Sequence, residues 1–163
     1  SATHEDELLS QLIDALTRAL DIPKVSGGSV TCKRRKKKRG FEPDECFWIA
    51  NEPAMRGKDT IDMETDPPPD LGLEIDITSS SINRMGIYAA MRVPEVWRIG
   101  KNGLTFNALQ ANGKYAVIPS SLAFPGLTPA DLMSFLSLRG QQDENSIVKA
   151  FSAWVRQRFN PNP

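Results

Sequence analysis

Residues 70–78 read Asp70-Leu71-Gly72-Leu73-Glu74-Ile75-Asp76-Ile77-Thr78, and their alternation decides the fold. Successive side chains on a strand point to opposite faces. Leu71, Leu73, Ile75 and Ile77 therefore share an apolar face, and Asp70, Gly72, Glu74 and Asp76 share the other. Residues two apart lie about 6.6 Å apart at 3.3 Å per residue, so Glu74 and Asp76 are neighbours. Buried carboxylates without a partner are costly, so such a pair takes basic side chains or a hard cation. Mg²⁺ is held by one or two carboxylates together with waters and phosphate oxygens. The alternation alone equally fits a half-exposed strand with a solvated outer face.

The chain on either side supplies the rest of the sheet and its helices. Upstream, Leu8, Leu9, Leu12, Ile13, Leu16 and Leu20 recur with helical period, which predicts an amphipathic helix over 4–20. Thr3 and Asp6 fit a capping box at its start, and Pro23 with Gly27-Gly28 fits its end. Ser29 to about Arg35 is a strand candidate. Asp44 opens Glu45-Cys46-Phe47-Trp48-Ile49-Ala50, a short apolar run suited to a buried strand. Residues 52–69, with Pro53, Gly57 and Pro67–Pro69, read as a long loop of the kind that is functional or mobile.

Downstream, Thr78 to Ser81 offers N-caps for a helix through about Met91, and residues 93–99 form another strand. Residues 104–109 and 114–118 flank Asn112-Gly113, a strong hairpin signal. Thr128-Pro129-Ala130-Asp131 starts a helix to about Leu138. A last helix from about Glu144 to Phe159 gathers Ile147, Val148, Phe151, Trp154 and Val155 on one face. Helix, strands, helix, strands and helices make a mixed α/β sheet packed by helices.

At 163 residues the chain is read as a single domain, 1–163, long enough to bury a core without metals or disulfides. With 40% hydrophobic and 25% charged residues it is not a disordered chain. No apolar run approaches the roughly 18 residues needed to span a bilayer, and no secretory segment opens the chain. Ser1 rather than Met stands first, so residues are expected to be missing ahead of it or left by cloning. Cys32 and Cys46 are too few for a disulfide scaffold and read as buried free thiols in a reducing cytoplasm. Trp48, Trp97 and Trp154 fall in apolar runs and read as core. His4 reads as an exposed residue at a helix start.

The formal net charge is zero, yet the charge is sorted along the chain. Lys33, Arg34, Arg35, Lys36, Lys37, Lys38 and Arg39 are consecutive. Between Glu42 and Asp76 eleven acids face only Arg56 and Lys58. A basic run beside concentrated acids suits a polyanion and cations, although on charge alone two solvated loops are the better reading.

Three stretches carry a resemblance: EPDECFWI, then DPPPDLGLEIDITSSSINR, then IYAAMRVPEVWRI. Together they resemble the bacterial family of putative restriction endonucleases, a branch of the PD-(D/E)XK nuclease superfamily, from about His4 to Val155. The resemblance implies a restriction-endonuclease-like core of helix, three strands, helix and strand, here followed by a hairpin and two helices. It implies Glu5 as the helix acid, with Glu7 the second choice, Asp44 as the second-strand aspartate and Glu74 as the first acid of the third strand. Asp76 stands where the superfamily usually has lysine, and Arg84, one turn before Tyr88, fits as the displaced cation. Lys58 would add a second positive charge. Asp70 fits either a metal ligand or a cap that begins the strand.

The expected function is a Mg²⁺- or Mn²⁺-dependent endonuclease hydrolysing DNA phosphodiesters. Asp44 and Glu74 would hold the metal, with Asp76 or Asp70 assisting. Lys33 to Arg39 and Lys58 would contact nucleic acid. The expected partners are DNA and, by analogy, a second copy in a homodimer, with no membrane and a cytoplasmic location. The alternatives are a catalytically degenerate nucleic-acid-binding or partner-binding module of the same fold, and a structural oligomer whose acids are solvated.

Overall fold

The computed structural model describes residues 2–27, 45–62, 64–76 and 84–160. They fall into two compact units, one of residues 24–128 and one of helices contributed by both ends of the chain.

The larger unit is built on a six-stranded sheet of β1 (Val25–Gly27), β2 (Glu45–Trp48), β3 (Leu71–Asp76), β4 (Glu95–Gly100), β5 (Gly103–Leu109) and β6 (Tyr115–Ile118). The strands lie in chain order, β1-β2-β3-β4-β5-β6. All pairs are antiparallel except β3–β4 at the centre. A parallel pair needs a crossover, and the chain between them carries α3 (Arg84–Ala90). The Asn112-Gly113 turn forms as the sequence predicts. Gly113 has φ 81°, its N–H donates to the Gln110 carbonyl at 2.9 Å, and the Asn112 side chain accepts from the Lys114 N–H at 3.0 Å.

Leu71, Leu73 and Ile75 of β3 are buried. Trp97 on β4 stacks on Phe106 of β5 with ring centroids 4.4 Å apart. Beside β2, Cys46, Trp48, Met55 and Ile61 form a second apolar cluster. Gly27 is required there, because a Cβ would stand 2.6 Å from the Trp48 ring and 2.8 Å from Cys46 Sγ. That cluster explains why residues 52–69 are less of a loop than the sequence suggests. They contain a one-turn helix, α2 (Glu52–Met55), whose Met55 anchors it, and Ile61 closes the return.

The helical unit packs α1 (Ala2–Ala19) on α5 (Glu144–Phe159) and α4 (Pro129–Leu136). Leu8, Leu9, Leu12, Ile13 and Leu16 are fully buried, as their spacing predicts. Asp143 caps α5 by accepting from the Ser146 N–H at 3.0 Å.

Four expectations change. Helix α1 begins at Ala2, so Thr3 lies inside it rather than capping it. Gly27 ends β1 instead of stopping the first helix, because Lys24 and Val25 already lead into a strand. Residues 52–69 hold a helix. Cys46, read as a free thiol, is disulfide-bonded; Cys32 lies outside the described residues, as does the strand expected over 29–35.

Candidate functional site

The polar face of β3 is covered, not solvated. Tyr88, on α3, lies against Gly72, where a Cβ would come within 2.9 Å of the Tyr88 ring. Only a residue without a Cβ lets the ring approach the strand this closely. Met91, Val93 and Val96 pack with Tyr88 and leave it 1% exposed. Under this lid Glu74 is 2% exposed. The Tyr88 hydroxyl lies 3.0 Å from Glu74 Oε1 and 2.9 Å from the Leu73 carbonyl oxygen. A carboxylate is seldom buried without such company.

The neighbouring strand brings a cation to the same face. In the parallel β3–β4 ladder Glu74 is in register with Arg98, two residues on from Val96, which packs with Tyr88. Arg98 is half-buried. Sequence reasoning missed it, although its alternation with Val96 within 93–99 placed it on that side.

The other predicted residues are placed as follows. Asp44 lies outside the described residues; β2 begins at Glu45, in register with Leu73, the neighbour of Glu74. Asp76 ends β3 in register with Gly100 and Arg84 opens α3, with both side chains outside the described set. Glu5 lies in α1, in the helical unit, and its side chain is likewise outside. Lys33 to Arg39 are outside altogether.

Lys58 pairs with Asp66, which also accepts from the Asp62 N–H at 2.8 Å. The Lys58 ammonium holds the Asp66 carboxyl below its ordinary value. Glu52 is similarly lowered by Arg56, whose guanidinium donates to both carboxylate oxygens at 2.6 Å. Asp70 accepts three hydrogen bonds: Ile49 N–H at 2.6 Å, Asn51 N–H at 3.1 Å and Asn51 Nδ2 at 3.1 Å. It thereby fixes the turn from β2 into α2. Among the described residues no three His, Cys, Asp or Glu side chains are grouped to hold a metal ion.

Glu95 is a further buried acid, one the sequence does not single out. Glu95, 1% exposed, accepts from Trp97 Nε1 at 2.7 Å, Ser121 Oγ at 2.7 Å, Leu122 N–H at 3.1 Å and Ala123 N–H at 2.8 Å. It pins residues 121–123 to the start of β4. With Asp70, Ile49, Pro94 and Leu122 it borders a cavity of about 240 Å³ at the ends of β3 and β4 away from Asp76. The alternation of residues 93–99 held the signal, since Glu95 falls on the apolar face with Trp97 and Ile99.

No helix among the described residues is long and apolar enough to cross a membrane. Searches of curated proteins and of solved structures found no match. A family model, Uma2, described as putative restriction endonuclease, matches residues 2–141. With the mixed α/β sheet, the parallel β3–β4 pair and the buried Glu74 in place, that match means the chain belongs to the Uma2 family of putative restriction endonucleases, which points to a nuclease-like function acting on DNA.

Proposed function

We propose that this protein is a divalent-metal-dependent endonuclease that hydrolyses DNA phosphodiesters. The observation that carries the reading is Glu74, a carboxylate buried on the covered face of the central strand of a chain in a nuclease family. The oxygen donors of Asp44, Glu74 and Asp76 suit a hard cation, Mg²⁺ or Mn²⁺, rather than a soft one. Asp44 directly precedes Glu45, which registers beside the residue next to Glu74. In this reading Asp44 and Glu74 hold the metal, while Asp70 serves mainly to hold the turn after β2. When bound, such a metal lowers the pKa of a water and polarises the phosphate.

The remaining roles follow from charge. Arg84 and Arg98 would neutralise charge developing on the phosphate, since a guanidinium stays protonated and cannot act as a base. Lys33 to Arg39, with Lys58 where it can leave Asp66, would track the DNA backbone. Cutting both strands of a duplex would engage two copies in a homodimer.

Asp76, in the place of the superfamily lysine, favours a second reading, a nucleic-acid-binding module that has lost the chemistry. One pair of measurements decides between them. Glu74→Gln keeps shape and removes a charge. Mn²⁺ should raise the melting temperature of the wild type but scarcely that of the variant, because a ligand stabilises only the state that binds it. Supercoiled DNA with Mn²⁺ should be nicked by the wild type and left intact by the variant. Equal metal shifts in both proteins would remove Glu74 from the site. Metal binding without cleavage would favour the degenerate module.

A further inference from the structure

The Tyr88 hydroxyl has one hydrogen, and among the described residues it lies within reach of Glu74 Oε1 at 3.0 Å and the Leu73 carbonyl at 2.9 Å. Its ring cannot drift. Gly72 lies beneath it with no room for a Cβ, and Met91, Val93 and Val96 close around it. The hydroxyl is therefore a fixed point from which the Glu74 carboxylate is held, delivered by the helix that crosses from β3 to β4. Each contact that fixes the rotamer of a long carboxylate side chain in advance lowers the cost of ordering it when an ion binds.

Building on the metal reading above, we infer that Tyr88 is a positioning residue for Glu74. Its hydroxyl holds Oε1 and so orients the carboxylate plane before any cation arrives. The hydroxyl keeps its bond to Oε1 while the carboxylate meets a cation through Oε2, so the contact that orients the group is present in the bound state. Partners outside the ligand shell that orient a metal-binding side chain act in this way.

The test is Mn²⁺ binding to the intact chain followed by calorimetry, in wild type, Tyr88→Phe and Glu74→Gln, beside metal-free melting curves. Phe keeps the ring on Gly72 and deletes only the hydroxyl. The expected result is Mn²⁺ affinity about tenfold weaker in Tyr88→Phe, the lower end of the range for an outer partner. A merely structural tyrosine would shift metal-free melting and leave the affinity of the folded protein alone. Tyr88→Phe affinity within twofold of wild type, where Glu74→Gln has lost binding, would overturn the role of Tyr88 and spare the metal reading. No Mn²⁺ binding by wild type, or equal binding by Glu74→Gln, would overturn the metal reading and this inference with it. Should Tyr88→Phe fail to fold, Gly72→Ala carries the test. It keeps the hydroxyl but pushes the ring off the strand, and it too should weaken Mn²⁺ binding. Unchanged affinity there would count against the role.

Discussion

Glu95→Gln is expected to destabilise the protein by about 2–4 kcal/mol, a magnitude that follows from its four donors. Leu122 and Ala123 N–H groups meet Oε1, while Trp97 Nε1–H and the Ser121 hydroxyl meet Oε2. A glutamine offers one oxygen and an NH₂. If the oxygen keeps the two backbone N–H groups, the NH₂ confronts Trp97 and Ser121. The Ser121 hydroxyl can rotate and accept, although its oxygen already accepts from the Phe124 N–H at 3.0 Å. The indole N–H cannot adapt, and Trp97 is fully buried, so water does not replace the lost acceptor. The opposite orientation orphans two backbone N–H groups and is worse.

The cheaper orientation thus leaves one buried donor unsatisfied, at about 1–3 kcal/mol, and turns the surviving bonds from charge-assisted to neutral, at about 1 kcal/mol each. Part of this is offset because a neutral amide costs less to bury than a carboxylate. For a chain of this length the net loss corresponds to a melting temperature lower by roughly 5–15 °C. Urea unfolding should show a lower midpoint at unchanged slope, the signature of changed stability rather than a changed end state. A loss below about 0.5 kcal/mol would refute the reasoning, since surface substitutions reach that size without any buried network.

Two further predictions concern charge. Replacing four of the seven basic residues of Lys33 to Arg39 with serine should weaken DNA binding and reduce the slope of log affinity against log salt by roughly 0.9 for each phosphate no longer neutralised. Filter binding between low and moderate salt reads this, and an unchanged slope would free the run from any phosphate role. Glu52, Asp62, Asp66 and Asp143 all have folded-state pKa values below their ordinary values, through Arg56, the Glu64 N–H, Lys58 and Ser146 respectively. The unfolded chain therefore binds more protons in acid. The stability these carboxylates supply is present above their ordinary values of 3.8 to 4.5 and is lost as pH falls through the lower folded values. Melting temperatures should hold near neutrality and drop below about pH 4.5; a rise on acidification would contradict the assignment.

The sequence made legible whatever is written in local pattern. The alternation of 71–76, the apolar spacing of α1, the Asn112-Gly113 turn and the start of α5 after Asp143 are each set within a few residues, and each appears where expected. What escaped depends on partners far along the chain. Asp70 reads equally as ligand or cap in the sequence because its partners, Ile49 and Asn51, come from another strand's end. Glu95 carries no local signal of its role, because the donors that hold it come from residues 121–123. Helix α2 escaped because it is a single turn, too short for periodicity, held by Met55 in a cluster with Trp48. The polar face of β3 could have been solvated or covered, and the choice was made by Tyr88, fourteen residues away, meeting a glycine.

The departure at residue 76 gains a physical reading from the sheet. A lysine there would have stood about 6.6 Å along the strand from Glu74, on the same face. The chain has an aspartate instead, but the parallel ladder sets Arg98 directly beside Glu74, and adjacent strands run about 4.8 Å apart. A cation thus reaches the acidic face sideways from β4, no farther off than the missing lysine would be. The exchange is not neutral for chemistry. Lysine can give up its proton when its pKa is depressed, whereas a guanidinium offers fixed charge and a planar fork suited to phosphate. Under the nuclease reading, this moves the protein's contribution away from proton transfer and toward holding the phosphate and its developing charge. Arg98→Lys would then be no conservative replacement. It would keep the charge next to Glu74 but lose the bidentate grip, so nicking of supercoiled DNA should slow even where metal binding survives.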